Sequence, residues 1–339
     1  MKCGCVVVRN SFDRDVATRW NNDIAEYLED NHYYTKLQSD MQSSEATRGA
    51  HPQILDIYWS KAQIEARQSP RMVAVKAALN SLWQTQQDGA SLFNPNVDCT
   101  YADRLRIREP GDSSLSLTPH VDGGSVEGWF EDSSAYAIHE PLLSGNWQNY
   151  NPFNAAHRVN TTHNISTSAC SMFRTYQGWT ALSTQGANAG TLQLVPTVRG
   201  LAWIFLRSLQ SDVIDNEGSN TAYATPGVAL CLKPDLHLQL LDAMCSIPQM
   251  HAGDSVWWHQ EVVHAVEGHN QSDGYSNVMY IGATPDCPRN RDYLQRQSKC
   301  FLAGISPPDY PAADVETNYE GRATIADLSQ VGRQLLGLG

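Results

Sequence analysis

A short motif at residues 118–124 places an imidazole and a carboxylate two residues apart, at His120 and Asp122. In an extended strand, side chains two residues apart point to the same face, so these two groups can bind one metal ion together. Pro119 favours extended backbone at the residue before it, and the two glycines at the end of the motif allow a tight turn. The motif therefore predicts a strand end with two metal ligands, and a third ligand must come from elsewhere.

Two histidines compete for the third ligand position. His259 and His264 both follow Gly253, where a turn leads into an apolar stretch. On one strand, residues five apart face opposite sides, so both histidines are not expected to bind the same ion. Two histidines and one carboxylate make the facial triad of non-haem iron(II) enzymes, which leaves coordination positions open for substrate chemistry.

Three blocks of the sequence, in this order, resemble the double-stranded β-helix of iron(II)- and 2-oxoglutarate-dependent oxygenases, and especially its phytanoyl-CoA hydroxylase-like branch: residues 118–124, 189–196 and 253–264. Four longer stretches resemble the YbiU-like domain-of-unknown-function family, over about residues 3–335: 103–108, 119–127, 174–183 and 277–280. The resemblance implies a metal site formed by His120, Asp122 and His264, and it selects His264 over His259.

The resemblance also implies the architecture. We expect residues 1–339 to form a single oxygenase domain whose core is a jelly-roll, cupin-like double-stranded β-helix with helices packed outside. The expected parts are helical support at 1–100, the jelly-roll core at 101–285 and a C-terminal helical segment at 286–339. Two insertions are expected near the open end of the core, at about 126–164 and 207–247. The first insertion is either a lid over that end or peripheral packing.

Residue patterns predict individual elements around this core. Residues 5–8 have the composition of a short strand, and apolar residues between 16 and 28 recur at helical spacing. Ser11 is the predicted cap of that helix. Further strands are predicted at 192–195 and 201–206, and further helices at 233–244 and 325–338.

Arginines alternate with apolar residues along the strand predicted at 101–108. Leu105 and Ile107 face one side, while Arg104, Arg106 and Arg108 face the other. For an isolated strand, the simplest interpretation is an exposed basic face that forms salt bridges with surface carboxylates. In the jelly-roll oxygenases that this chain resembles, the strand lines the mouth of the active site, so the arginines are expected to point inward.

One position departs from the family pattern. In many 2-oxoglutarate oxygenases, an arginine about ten to twelve residues after the distal histidine binds the far carboxylate of the cosubstrate through its planar fork. Here the chain contains no arginine or lysine between His264 and Arg289. We expect Arg106 or Arg108 to replace that arginine, and Arg174 is the next candidate.

Other cosubstrate contacts follow from the same resemblance. Gln177 and Trp179 correspond to positions near the cosubstrate in related oxygenases. Ser276 and Asn277 occupy the stretch that lacks the usual arginine, and they could donate hydrogen bonds.

The composition of the chain limits the kinds of molecule that it is expected to bind. The formal net charge of −12 argues against nucleic acid, which would favour a basic surface. The sequence contains no apolar run of about 20 residues that could span a bilayer and no recognisable secretion signal at its start. Eight scattered cysteines without a Cys-x-x-Cys pair favour reduced thiols, so we expect a cytoplasmic protein with a small-molecule substrate. The sequence leaves the oligomeric state undetermined.

Taken with the resemblance, the sequence predicts an enzyme that uses Fe(II), 2-oxoglutarate and O2. Such an enzyme would oxidise an unactivated C–H bond of a small, anionic or amino-acid-like molecule, by hydroxylation, desaturation or ring closure. Two other classes fit the same motif: a cupin-like metal-dependent hydrolase or isomerase, and a metal-binding sensor without catalytic activity.

Overall fold

The computed structural model describes residues 3–41, 53–114, 117–122, 136–160, 170–208, 210, 212–213, 229–310 and 314–339. Parts of both expected insertions, including residues 126–135, 161–164 and 214–228, lie outside the described residues.

The strands in the described part of the chain are β1 (Cys5–Val8), β2 (Ile54–Leu55), β3 (Gln86–Gln87), β4 (Ala90–Ser91), β5 (Asn94–Cys99), β6 (Leu105–Arg106), β7 (His120–Val121), β8 (Gln177–Ala181), β9 (Leu192–Leu194), β10 (Leu230–Cys231), β11 (Cys245–Ser246), β12 (Ser255–Trp258), β13 (His264–Val266), β14 (Val278–Tyr280) and β15 (Thr284–Asp286). The α-helices are α1 (Arg14–Asp30), α2 (Tyr33–Met41), α3 (Lys61–Arg67), α4 (Pro70–Asn80), α5 (Tyr136–Leu143), α6 (Gly200–Ser208), α7 (Pro234–Asp242), α8 (Pro288–Ala303) and α9 (Gln330–Leu335).

Two antiparallel sheets organise most of these strands. The first has the order β1-β12-β8-β14-β6-β2, and the second has the order β10-β7-β13-β9-β11. Strands β6, β7, β8 and β9 alternate between the sheets, and so do β12, β13 and β14. Each such step carries the chain from one sheet to the other.

One face of the first sheet is covered by helices, and the strand register shows which side chains lie on that face. Leu105 lies opposite Met279, and both are buried in one apolar cluster with Trp20 and Ile24 of α1. Because successive strand residues point to opposite faces, Arg106 projects away from the helices. The alternation predicted for this strand is therefore confirmed for Leu105, although the strand itself is only two residues long.

The N-terminal elements agree with the sequence except at the helix cap. Strand β1 and the amphipathic helix α1 form where they were predicted, and Trp20 and Ile24 are buried on the inner face of α1. Asp13, not Ser11, occupies the N-cap position. The Ser11 hydroxyl instead lies 2.5 Å from the hydroxyl of Ser255, so it ties this segment to β12.

The strand predicted at 201–206 is wrong, because the segment forms helix α6. Leu201, Ile204 and Phe205 are its buried residues, at the i, i+3, i+4 spacing of one helix face. A short continuous apolar run fits a buried strand and a buried helix equally well, so periodicity could not distinguish them. The strand at 192–195 and the helix at 233–244 are confirmed by β9 and α7. No helix in the described ranges is long and apolar enough to cross a bilayer.

A buried ion pair fixes the turn between β12 and β13. Arg158 Nη2 lies 2.6 Å from Glu261 Oε1, and both side chains are fully buried. The Tyr150 hydroxyl donates to the same carboxylate oxygen at 2.5 Å. Glu261 stands three residues before His264, so this pair anchors the chain where it enters β13.

We predict that Arg158→Ala strongly destabilises the protein, because it leaves the buried Glu261 carboxylate without its charged partner. The expected loss in free energy of unfolding is about 3–5 kcal/mol, measured by urea denaturation. Arg71→Ala is the control, since Arg71 and Asp13 form a solvent-exposed pair whose removal should leave the midpoint nearly unchanged. Equal midpoints for Arg158→Ala and wild type would show that the pair does not anchor this turn.

Candidate metal centre

The candidate metal centre is formed where two neighbouring strands place a histidine opposite a histidine. His264 on β13 pairs directly with His120 on β7, and their ring centroids are 4.2 Å apart. Side chains of directly opposed residues emerge on the same face of a sheet, so both imidazoles point the same way. Asp122 follows His120 by two residues and joins them on that face.

The three side chains bring their ligand atoms together. Nε2 of His120 lies 3.6 Å from one carboxylate oxygen of Asp122, and Nε2 of His264 lies 3.5 Å from the other. One ligand atom from each residue can be chosen so that all three lie within 4.8 Å of one another. In the described part of the chain, this is the one cluster of three or more His, Cys, Asp or Glu groups with that spacing.

Backbone carbonyls orient both imidazoles. Nδ1 of His120 lies 2.6 Å from the carbonyl oxygen of Thr118, and Nδ1 of His264 lies 3.1 Å from that of Val262. A carbonyl oxygen only accepts, so each neutral ring carries its proton on Nδ1 and leaves the Nε2 lone pair available. Histidine ligands of metal sites are commonly held in this way.

The charges at the centre suit a bound cation. Burial acts to raise the pKa of Asp122, but His264, His120 and Arg174 together lower that pKa below its usual value. Burial and the adjacent His120 lower the pKa of His264 to about 4. The cluster therefore presents a carboxylate and a neutral imidazole at pH 7, which are the protonation states that metal ligands require.

His259 is held in a different environment. Its ring stacks on Trp83, with centroids 4.8 Å apart and planes 12° apart. Its Nε2 lies 3.0 Å from the carbonyl oxygen of Pro152, and its Nδ1 accepts a hydrogen bond from the backbone N–H of Glu261. Both ring nitrogens are thus engaged away from Asp122, and the structure places His264, not His259, beside His120.

A cavity of about 540 Å³ opens beside the three residues, which form part of its wall. Trp179, Trp258 and Leu192 contribute apolar surface. The polar lining includes three arginines and three tyrosines: Arg104, Arg106, Arg174, Tyr101, Tyr280 and Tyr310. The lining also includes the carboxylates of Asp56, Asp103 and Asp309, so the cavity combines apolar walls with charged groups of both signs.

Four of the five predicted cosubstrate residues line this cavity: Arg106, Arg174, Gln177 and Trp179. The side-chain amide of Gln177 is close enough to Asp122 to help lower the pKa of that carboxyl group. Trp179 is almost completely buried and lies opposite Tyr280 on β14, so both side chains face the cavity.

The expectation for Arg108 is corrected by the structure, because its guanidinium does not reach the cavity. Arg108 donates from Nε to Asp112 at 2.8 Å and from Nη1 to the backbone carbonyls of Gly190 and Glu267 at 3.0 and 2.5 Å. Gly190 leaves room for this guanidinium, since a Cβ there would lie 2.6 Å from Nη1. Strand alternation predicted the correct face, but it did not indicate that Arg108 lies beyond the end of the cavity.

Arg106 reaches the stretch that lacks the family arginine. Its Nη2 donates to the side chains of Ser276 and Gln185, each at 3.2 Å. Its Nε is buried and makes no hydrogen bond with any described residue, and no described carboxylate forms an ion pair with Arg106. A buried guanidinium with unused donors is costly unless an acceptor binds there.

Tyr101 and Tyr310 are cavity residues that the sequence analysis did not single out. Their hydroxyl groups donate to Asp309 at 2.9 Å and to Asp103 at 2.7 Å, respectively. They are about two hundred positions apart in the chain, and neither belongs to a local motif. We find no sequence signal that could have identified them.

The fold and the site define a protein with two antiparallel sheets, outer helices, and a candidate His-Asp-His metal centre beside a cavity that three arginines line. The chain belongs to the Gig2-like family, whose model matches residues 1–338. It is 40% identical to the uncharacterized protein YbiU of Escherichia coli strain K12, over 99% of this chain and 79% of that protein.

Solved structures of related proteins share the whole fold. The hypothetical protein JW0805 from Escherichia coli is 38% identical and superimposes with a TM-score of 0.87, covering 99% of this chain and 80% of that one. GlcNAc Inducible Gene 2 (GIG2) from Candida albicans is 28% identical with a TM-score of 0.81, covering 99% and 74% of the two chains. These likenesses establish the family and leave its chemistry to be argued from the site.

We predict that His120→Ala, Asp122→Ala and His264→Ala each abolish stoichiometric binding of Fe(II), because each removes one of three ligands. The measurement is anaerobic titration calorimetry, with metal analysis of the recovered protein. His259→Ala is the matched control: it should lower thermal stability through loss of the Trp83 stack and still bind one ion. Loss of binding in His259→Ala with retention in His264→Ala would contradict the ligand assignment.

Proposed function

We propose that the protein is a non-haem iron(II)- and 2-oxoglutarate-dependent oxygenase that oxidises an unactivated C–H bond of a small molecule. The observation that carries the proposal is the convergence of His120, Asp122 and His264 at one wall of the cavity, with both Nε2 atoms facing the carboxylate. Two imidazoles and one carboxylate on a single face leave the opposite side of a bound ion open to other ligands.

The sheet topology supports a double-stranded β-helix as the core. The chain alternates between four strands of the first sheet, β12-β8-β14-β6, and four of the second, β7-β13-β9-β11, and residues of both sheets line the cavity. That is the pattern of an eight-stranded jelly roll. We propose that this core and the flanking helices together form one oxygenase domain.

The donor set fits Fe(II). Backbone carbonyls hold both imidazoles so that Nε2 faces Asp122, and the lowered pKa of Asp122 keeps its carboxylate charged. A bound iron with its 2-oxoglutarate would supply the activation of dioxygen that C–H oxidation requires. The protein would supply the three ligands, the orientation of the organic molecules, and the exclusion of water from the site.

Arg106 is the proposed partner of the far carboxylate of 2-oxoglutarate. It is 1% exposed, lacks an ion pair with any described carboxylate, and contacts Ser276 where the family pattern expects an arginine. Gln185 and Ser276 hold one edge of the guanidinium, and so they orient the other donors. A dianion in this buried place needs such a cationic partner, because an unpaired carboxylate would cost several kcal/mol.

The walls around the ligands would keep the site dry. Trp258 lies close to His264, with ring centroids 5.3 Å apart, and Trp179 lines the cavity from the neighbouring strand. The amide of Gln177 borders Asp122 and would help to hold its carboxylate in place. A low-dielectric surround strengthens the attraction between the arginines and anionic ligands.

Turnover of 2-oxoglutarate tests the proposed reaction class. We expect the Fe(II) protein to convert 2-oxoglutarate to succinate slowly in air without added substrate, and the Asp122→Ala protein not to do so. Succinate and dissolved oxygen are the quantities to measure. A protein that retains zinc tightly and consumes neither oxygen nor 2-oxoglutarate would favour the cupin-like hydrolase or isomerase, or the metal-binding sensor.

We predict that Arg106→Gln weakens 2-oxoglutarate binding by about thirty- to a hundred-fold, because it removes a charge-assisted contact of about 2–3 kcal/mol. The dissociation constant is measured anaerobically with Fe(II) present. Arg174→Gln is the matched control and should change this constant much less. A large effect of Arg174→Gln and none of Arg106→Gln would place the cosubstrate carboxylate at Arg174 instead.

A further inference from the structure

Arg104 and Arg174 line the cavity without the partners that arginines usually have. Neither guanidinium donates a hydrogen bond to any of the residues that the structure describes, although Nε of Arg104 is buried. Arg174 forms no ion pair within the described ranges, and Arg104 approaches one carboxylate, Asp103, only to 3.8 Å. The side chain of Arg104 is 36% exposed, and both guanidinium groups lie in the wall of the cavity, where a ligand would take the place of water.

Two aromatic rings hold the arginines in place. Cζ of Arg174 lies 5.7 Å from the ring centroid of Tyr101, and Cζ of Arg104 lies 4.9 Å from that of Tyr310. The two rings are themselves neighbours, with centroids 6.2 Å apart. Cation–π contacts fix the position of a guanidinium without using its N–H groups, so the donors stay available for a ligand.

Close packing supports the position of Arg174. Gly282 faces its aliphatic stem, and a Cβ at that position would lie 3.2 Å from the Cδ of Arg174. Any larger residue at 282 would press on the arginine. The backbone therefore leaves space for this side chain beside the metal centre, where its charge contributes to the low pKa of Asp122.

Two acidic residues of the same region, Asp309 and Asp103, accept hydrogen bonds from groups other than the two guanidinium groups. Asp309 accepts hydrogen bonds from the Tyr101 hydroxyl and from the backbone and side chain of Ser171. Asp103 accepts from the Tyr310 hydroxyl and from the backbone N–H of Arg104 at 2.7 Å each. These donors occupy both oxygens of Asp309 and one oxygen of Asp103, and neither carboxylate accepts a hydrogen bond from the guanidinium groups of Arg104 and Arg174.

We infer that Arg104 and Arg174 form a second anion site, separate from Arg106, which binds an oxyanion group of the substrate, a carboxylate or a phosphate. Calling this ligand the substrate rests on the proposed function. The two sites have different surroundings: Arg106 contacts Gln185 and Ser276, whereas Arg174 lies over Tyr101 next to the metal ligands. A cosubstrate and an anionic substrate can thus be bound at the same time by different arginines.

The test is the equilibrium binding of benzoate, phenyl phosphate and the neutral near-isostere benzamide, measured by titration calorimetry. We expect both oxyanions to bind in saturable fashion and benzamide to bind at least ten-fold more weakly. The tighter of the two oxyanions identifies whether the site prefers carboxylate or phosphate. Titrations are repeated with and without Fe(II) and 2-oxoglutarate, so a protein without oxygenase activity can still reveal the anion site.

Three variants distinguish the two anion sites. Arg174→Gln and Arg104→Gln should each weaken benzoate binding about ten-fold, whereas Arg106→Gln should leave it nearly unchanged. Arg174→Lys, which keeps the charge, should retain part of the affinity, and thermal unfolding checks that each variant is folded. Equal binding of benzoate and benzamide, absence of saturable oxyanion binding, or competition of benzoate with 2-oxoglutarate through Arg106 would each overturn the inference.

Discussion

The pairing of His120 with His264 across two neighbouring strands is the contact on which the rest of the site depends. Antiparallel pairing sends both side chains to one face, and the carbonyls of Thr118 and Val262 set which nitrogen each ring presents. Asp122 lies on the same face as these imidazoles because it follows His120 by two residues in extended backbone. A shift of one residue between β7 and β13 would turn one imidazole to the opposite face and dismantle the cluster.

The cavity of this acidic protein is lined by arginines as well as by carboxylates. The chain carries a formal net charge of −12, yet three arginines, Arg104, Arg106 and Arg174, converge on the cavity beside the metal centre. Nearby carboxylates accept hydrogen bonds from tyrosines and backbone groups, and no carboxylate of the described residues lies within hydrogen-bond distance of these three guanidinium groups. Arg106 is fully buried without an ion pair to a described carboxylate, which is unfavourable, and an anionic ligand would offset that cost. The low dielectric of the enclosed site makes the attraction stronger than it would be at the surface.

Sequence patterns were reliable where one physical rule acted alone. The helical repeat predicted α1, and strand alternation predicted that Leu105 and Arg106 face opposite sides. They failed where two structures satisfy the same pattern. The apolar run that forms α6 could equally have been a strand, and Arg108 shares the face of Arg106 but binds Asp112 and backbone carbonyls beyond the cavity. Strand alternation predicts the face of the sheet on which a side chain lies. Whether that side chain reaches the cavity depends on packing.

The sequence by itself determined the short-range features of the candidate site: the spacing of His120 and Asp122, and the absence of an arginine between His264 and Arg289. Only the tertiary structure decided which residues complete the cavity. It brought Ser276 to Arg106, and it brought Tyr101 and Tyr310 together under Arg174 and Arg104. Local backbone geometry relates residues that are a few positions apart. Contacts between residues some two hundred positions apart depend on how the two sheets and their helices pack, and no short sequence pattern encodes that packing.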